Sequence, residues 1–163
     1  MRLSDFMDRV ATIYLAGDVA AEMADATREV ERIAYHEAGH ACVAMIFGRV
    51  PQAVELRKSE RGWGGCCHIK PDDRPDDFFP SDGEFVDLLD RVRGVEGEPP
   101  LDREAMRSQA RAILEEHWSF VQAIAGNLLT KTINSPLAIC TEGGLRKLWK
   151  FHKGEMDYVF QEK

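Results

Sequence analysis

The spacing of apolar residues changes period several times along the chain, and each change marks an element. From Asp5 to Glu22, apolar residues fall at Phe6, Val10, Ile13, Tyr14, Ala20 and Ala21, close to the period of a helix that Gly17 weakens. A second helical pattern covers about residues 26–47. There Val30, Ile33, Ala34, Glu37, Ala41 and Ala44 share a stripe, and Gly48 supplies the left-handed stop on which many helices end. The period then shortens to two. Val54 and Leu56 alternate with Glu55 and Arg57, a polar turn follows from Lys58 to Gly62, and Trp63 to Ile69 returns, which predicts an antiparallel hairpin over about 53–69.

Asp and Pro dominate residues 71–80, a composition that neither extends a ladder nor starts a helix, so an exposed loop is expected. Ser81 stands three residues before Glu84 in a capping-box pattern, opening a helix over about 82–93 with Phe85, Leu88, Leu89 and Val92 on its apolar face. Gly94 to Pro100 reads as a second linker. Asp102 caps what the periodicity presents as one long helix, about 102–130, with Leu101 and Met106 as a hydrophobic staple and Ala110, Ile113, Leu114, Val121, Ile124 and Leu128 along its buried stripe. After a turn at Pro136, Leu145 and Leu148 mark a terminal helix over about 142–153. The expected architecture is a mainly α (α+β) single domain spanning 1–163 with a small antiparallel β-hairpin.

Composition narrows the function classes. A chain of 163 residues, 44% apolar and 30% charged, has the makings of one soluble domain. Its net charge of −7 has the wrong sign for neutralising phosphates, which argues against nucleic acid as a partner. The longest strongly apolar stretch, Ala41 to Phe47, is far below the ~20 residues a membrane helix needs. Acids stand near the amino terminus where a signal peptide would carry bases, so a cytoplasmic location is expected, with Cys42, Cys66, Cys67 and Cys140 as reduced thiols.

The chemistry resides in His36-Glu37-Ala38-Gly39-His40, inside the second helix. Residues four apart on a helix project from one face, so His36 and His40 can grip one zinc ion while Glu37 lies beside its open position. Zinc acidifies water and Glu37 can take the proton, which is the chemistry of peptide hydrolysis. Spacing alone assigns no third ligand.

The run Ile33-Ala34-Tyr35-His36-Glu37-Ala38-Gly39-His40-Ala41 resembles the metal-binding helix of the FtsH-type zinc metalloprotease peptidase domain. Ala110 to Leu129 also resembles a late helix of that domain, and a hairpin directly after the metal helix fits it. The resemblance implies a zincin-like helical fold and a zinc metalloendopeptidase, with His36 and His40 as ligands, Glu37 as general base, and a third ligand from an Asp near the start of a later helix. Asp82 matches that place best. Asp87 and Asp90 look more exposed by the periodicity.

Two departures stand out. The family's ATPase and membrane segments have no counterpart here, so the chain is expected to act alone on peptides or unfolded proteins or with a separate ATPase or unfoldase; the family's ring assembly implies a homo-oligomer. The family also places an Ala-Gly…Ala-Glu helix after the hairpin, whereas the similar Leu15-Ala16-Gly17-Asp18-Val19-Ala20-Ala21-Glu22 here precedes the metal helix. If that element is reordered, Asp18 and Asp25 become further candidate ligands.

Other groups carry less. Successive strand residues point to opposite faces, so Cys66-Cys67-His68 is read as strand packing. The strand from Trp63 can take an extended peptide as an added strand, with Gly64 and Gly65 allowing close approach. His117 and Trp118 are read as packing or surface residues, and His152 as a cation favoured at a helix end. The competing expectations are a catalytically inactive, peptidase-like interaction module, with or without a structural metal, and a metal-dependent hydrolase of a non-peptide amide.

Overall fold

The computed structural model describes residues 2–69 and 81–154, so the loop expected over 71–80 lies outside the described residues. Six helices and three strands follow in the order α1 (Leu3–Ala24), α2 (Glu29–Ile46), β1 (Ala53–Ser59), β2 (Gly62–His68), α3 (Asp82–Val95), α4 (Arg103–Glu116), α5 (Trp118–Thr132), β3 (Leu137–Thr141) and α6 (Glu142–His152). The protein is mainly helical with one small antiparallel sheet.

Helix α2 occupies the centre and packs against α1, α4, α5, β1 and β2. The sequence pattern assigned it one buried stripe. Instead, every residue from Glu37 to Met45 is buried, because small side chains let neighbours approach from all sides. It ends as its sequence requires: Gly48 adopts φ 80°, and the Gly48 and Arg49 amides donate back to the Met45 and Ala44 carbonyls.

Helix α1 lies against α2 and runs without interruption through Gly17, which is buried rather than a weak point. The contact is a seam of small residues. A Cβ placed on Gly39 would stand 2.5 Å from the Ala20 Cβ and 2.8 Å from the Ala16 carbonyl oxygen, so these backbones meet at a distance only glycine permits.

The hairpin forms as expected, but a third strand, β3, pairs antiparallel with β1 and gives the sheet order β2-β1-β3. Val54 and Leu56 thereby become central and fully buried. Sequence patterning missed β3 because only Ala138 and Cys140 face the core, while Leu137 and Ile139 put apolar side chains on its other side and blur the alternation.

The expected helix over 102–130 is two helices. Chain direction changes at His117 (φ −112°, ψ 26°), so that α4 packs mainly on α1 while α5 packs on α2 and β3, two supports that one straight helix does not follow. No Gly or Pro announces the break. It is held by side chains: Trp118 stacks on Tyr35, His117 Nδ1 lies 3.0 Å from His152 Nε2, and Ser119 Oγ lies 2.8 Å from His152 Nδ1. Burial and the neighbouring His117 push His152 below its ordinary value, the reverse of the helix-end cation expected.

Helix α3 carries the expected capping box, with the Glu84 amide donating to Ser81 Oγ and the Ser81 amide to Glu84 Oε2. Its buried face is rotated from the apolar pattern. Val86 and Arg93 are buried while Val92 is 40% exposed, because the Arg93 guanidinium turns toward α1 and donates to Asp8 Oδ1 (2.7 Å) and to the Pro99 carbonyl (2.8 Å). Asp102 caps α4, and Leu101 and Met106 share a buried cluster with Val86 and Ala11. No described helix is long and apolar enough to cross a membrane.

Glycine substitutions separate propensity from packing. Gly39→Ala gains up to ~1 kcal/mol of helix propensity but forces α1 and α2 apart, an overpacking cost of roughly 1–3 kcal/mol or more, so a net loss of stability is expected. Gly126→Ala in α5, where nothing lies within 4 Å of the added methyl, should instead raise stability by up to ~1 kcal/mol. Denaturant unfolding of both variants checks the opposite signs.

Candidate metal centre

Two helices bring the donors together. His36 and His40 leave α2 on one face, one turn apart, and Asp82 is the first residue of α3, where the positive helix end favours its carboxylate. His36 Nε2, His40 Nε2 and Asp82 Oδ2 form a triangle with every side 3.0 Å. Ligands of a tetrahedral zinc at 2.0–2.1 Å stand about 3.3 Å apart, so the triangle is close to what such an ion needs. Among the described residues, this is the group of His, Cys, Asp and Glu side chains whose ligand atoms converge in this way.

The other candidate aspartates are engaged elsewhere. Asp87 and Asp90 both bind Arg103, and Asp90 also accepts from the Leu101 amide. Asp25 ends α1 in the left-handed conformation. Asp18 approaches the histidines from the far side, with Oδ1 3.3 Å from His36 Nδ1, the ring nitrogen that faces away from the triangle.

Proton accounting makes the triangle informative. His40 Nδ1 lies 2.7 Å from the Ile13 carbonyl oxygen, which can only accept, so Nδ1 carries the proton and the neutral ring turns a lone pair toward the triangle. Asp82 Oδ2 presents lone pairs there too. Two acceptors at 3.0 Å require a positive charge between them, either a proton or a metal ion. Burial alone would push His40 down, but the Asp82 hydrogen bond, the Glu37 charge and the Ile13 carbonyl outweigh it and hold His40 up at about 9. Burial likewise opposes ionisation of Asp82, yet its bonds to His36 and His40 hold it well below the usual carboxylate range.

Glu37 is 7% exposed, and burial raises its proton affinity against the opposing charges of His40 and His36. Its carboxylate fits beneath β2. A Cβ on Gly65 would stand 2.6 Å from Glu37 Cγ and 3.0 Å from Glu37 Oε1, so the absent side chain at 65 makes room for Glu37 rather than for a ligand. Gly64 faces the other side of the strand, where the nearest atom to an added Cβ is the Arg57 carbonyl oxygen at 4.0 Å. Cys66 and Cys67 face opposite ways as expected. Burial, with Glu37, Cys66 and Asp82 nearby, pushes the Cys67 thiol well up, while Cys66 Sγ lies 3.8 Å from His68 Nδ1.

Sequence reasoning named the Leu15–Glu22 segment and Asp18 but read Gly17 as a weak point and missed that it seats both imidazoles. A Cβ on Gly17 would stand 2.5 Å from His40 Nε2 and 2.7 Å from His36 Nε2, so the two imidazoles occupy the volume a side chain at 17 would fill. A Gly and an Asp within the small-residue run Ala16-Gly17-Asp18-Val19-Ala20 were the available signal. Compared with protein-family models, characterised proteins and solved structures, the chain matches none of them.

The metal-free protein should lose stability in alkali through His40. Its folded value is raised above the ordinary 6.5, so the stabilisation is fully present below about pH 6.5 and is lost as pH rises through about 9. Thermal unfolding in chelator between pH 6 and 10 should show that decline. In His40→Asn, whose amide can still donate to Ile13, the decline should be absent; equal slopes in both proteins would refute the assignment.

Proposed function

We propose that the protein is a zinc metallopeptidase domain of zincin-like, FtsH-type character, hydrolysing peptide bonds in peptides or unfolded segments. One observation carries the reading: His36, His40 and Asp82 converge at 3.0 Å while Glu37, next in sequence to a ligand, is buried beside them. The donor set of two imidazoles and one carboxylate suits zinc and leaves a coordination position for water. His36, His40 and Asp82 would hold the ion. When bound, zinc supplies a Lewis acid that acidifies water toward neutrality and polarises a carbonyl.

The remaining steps belong to the chain. Glu37 takes the proton of the attacking water, and its raised proton affinity suits a base that must return that proton to the leaving nitrogen near neutral pH. Strand β2 forms an outer strand of the sheet and crosses Glu37 at Gly65, so a peptide laid along it passes close to the base. Contact of the Leu15–Glu22 segment with the metal helix supports the resemblance: although earlier in sequence than in FtsH-type domains, it packs on α2 and walls the site.

The decisive experiment pairs metal content with turnover on an unfolded protein such as casein. Glu37→Gln should retain one zinc per chain and lose about 10²–10⁴-fold in hydrolysis, whereas Asp82→Ala should lose the metal itself. Chelation should abolish wild-type activity and added zinc restore it. Zinc retention with no hydrolysis by the wild type would favour the inactive interaction module instead.

A further inference from the structure

Donors to the triangle come from α2 and α3, yet the Nδ1 atom of each imidazole faces an oxygen of α1. Ile13 offers its carbonyl to His40 Nδ1 at 2.7 Å, Asp18 offers Oδ1 to His36 Nδ1 at 3.3 Å, and Gly17 leaves the space into which both rings fit. We propose that Asp18 is a positioning residue that holds His36 in the tautomer whose Nε2 lone pair faces the cluster, making α1 the outer shell for both zinc-binding histidines. This inference rests on the metal-site reading above and goes beyond it, because it assigns a residue outside the ligand set and the base.

The His36 tautomer decides whether two or three lone pairs face into the triangle. With its proton on Nε2, the ring could donate to Asp82 Oδ2 or to His40 Nε2, each 3.0 Å away, but its lone pair would then face Asp18 and be lost to the cluster. A carboxylate beside Nδ1 disfavours that arrangement, since Asp18 can only accept and Nδ1 must carry the proton for the contact to be attractive. Asp18 Oδ1, at 3.3 Å, stands toward His36 Nδ1 on the side where the Ile13 carbonyl, at 2.7 Å, bonds His40 Nδ1. Both acceptors belong to α1, five residues apart in sequence with Gly17 between them. The Asp18 side chain is 63% exposed, so its charge is screened by water and its effect comes through the choice of tautomer.

Zinc affinity of the full chain, measured by competition with a chromophoric chelator, tests the assignment. Asp18→Ala should bind zinc about 10-fold or more weakly, and Asp18→Asn, which keeps an acceptor oxygen, should lose less. Ala is a good helix former at an exposed position, so unfolding midpoints should stay near wild type. The second readout uses no metal: long-range ¹H–¹⁵N correlations should place the neutral His36 proton on Nδ1 in the wild type and move it toward Nε2 in Asp18→Ala. Equal affinities together with an unchanged tautomer would overturn the proposal. Failure of the wild type to bind zinc would instead strike the metal-site reading, and the tautomer measurement would still decide the role of Asp18.

Discussion

Close approach of α1 and α2 is the constraint on which the rest depends. At Gly39 the two backbones meet with no room for a methyl group, and at Gly17 the rings of His36 and His40 fill the place of a side chain. Both contacts lie along one seam, so separating the helices would loosen the packing and withdraw the backbone against which the two Nε2 atoms sit. Dispersion in such a seam is short-ranged, and a gap of even 1 Å forfeits much of it. The core therefore has a functional consequence: the packing that stabilises the helix pair also sets where two nitrogen lone pairs point.

Electrostatics at the site follow from that placement. Three groups that would rather face water are turned toward one another, and the structure holds them by supplying acceptors on the outside and a positive helix end at Asp82. Without metal, the charge that reconciles His40 with Asp82 is a proton, which explains why one group is held up and the other down. A divalent ion held by these three residues would replace that proton with a stronger version of the same interaction. Glu37, buried under Gly65, sits close enough to feel both histidines without being one of the converging donors.

The outer elements serve as clamps. The break at His117 lets α4 brace α1 while α5 braces α2, and the His117–His152–Ser119 contacts tie the break to the last helix. Arg93 fastens α3 to α1 through Asp8, which fixes the direction from which Asp82 enters. Each clamp joins residues distant in sequence, so none has a local signature.

Local chemistry was legible in the sequence wherever a residue acts through its near neighbours. The helix stop at Gly48, the capping box at Ser81, the two-residue period of the hairpin and the shared face of His36 and His40 all depend on backbone geometry within a few positions. The resemblance also singled out Asp82 over Asp87 and Asp90, and the fold brings it to the histidines. Tertiary structure alone decided the rest: that a third strand lies beside β1, that the long apolar stripe splits at His117, and that Gly17 is a seat for two imidazoles instead of a flaw in a helix. Those outcomes turn on packing between elements tens of residues apart. A periodic pattern can name the face that will be buried, but it carries no record of which partner will bury it.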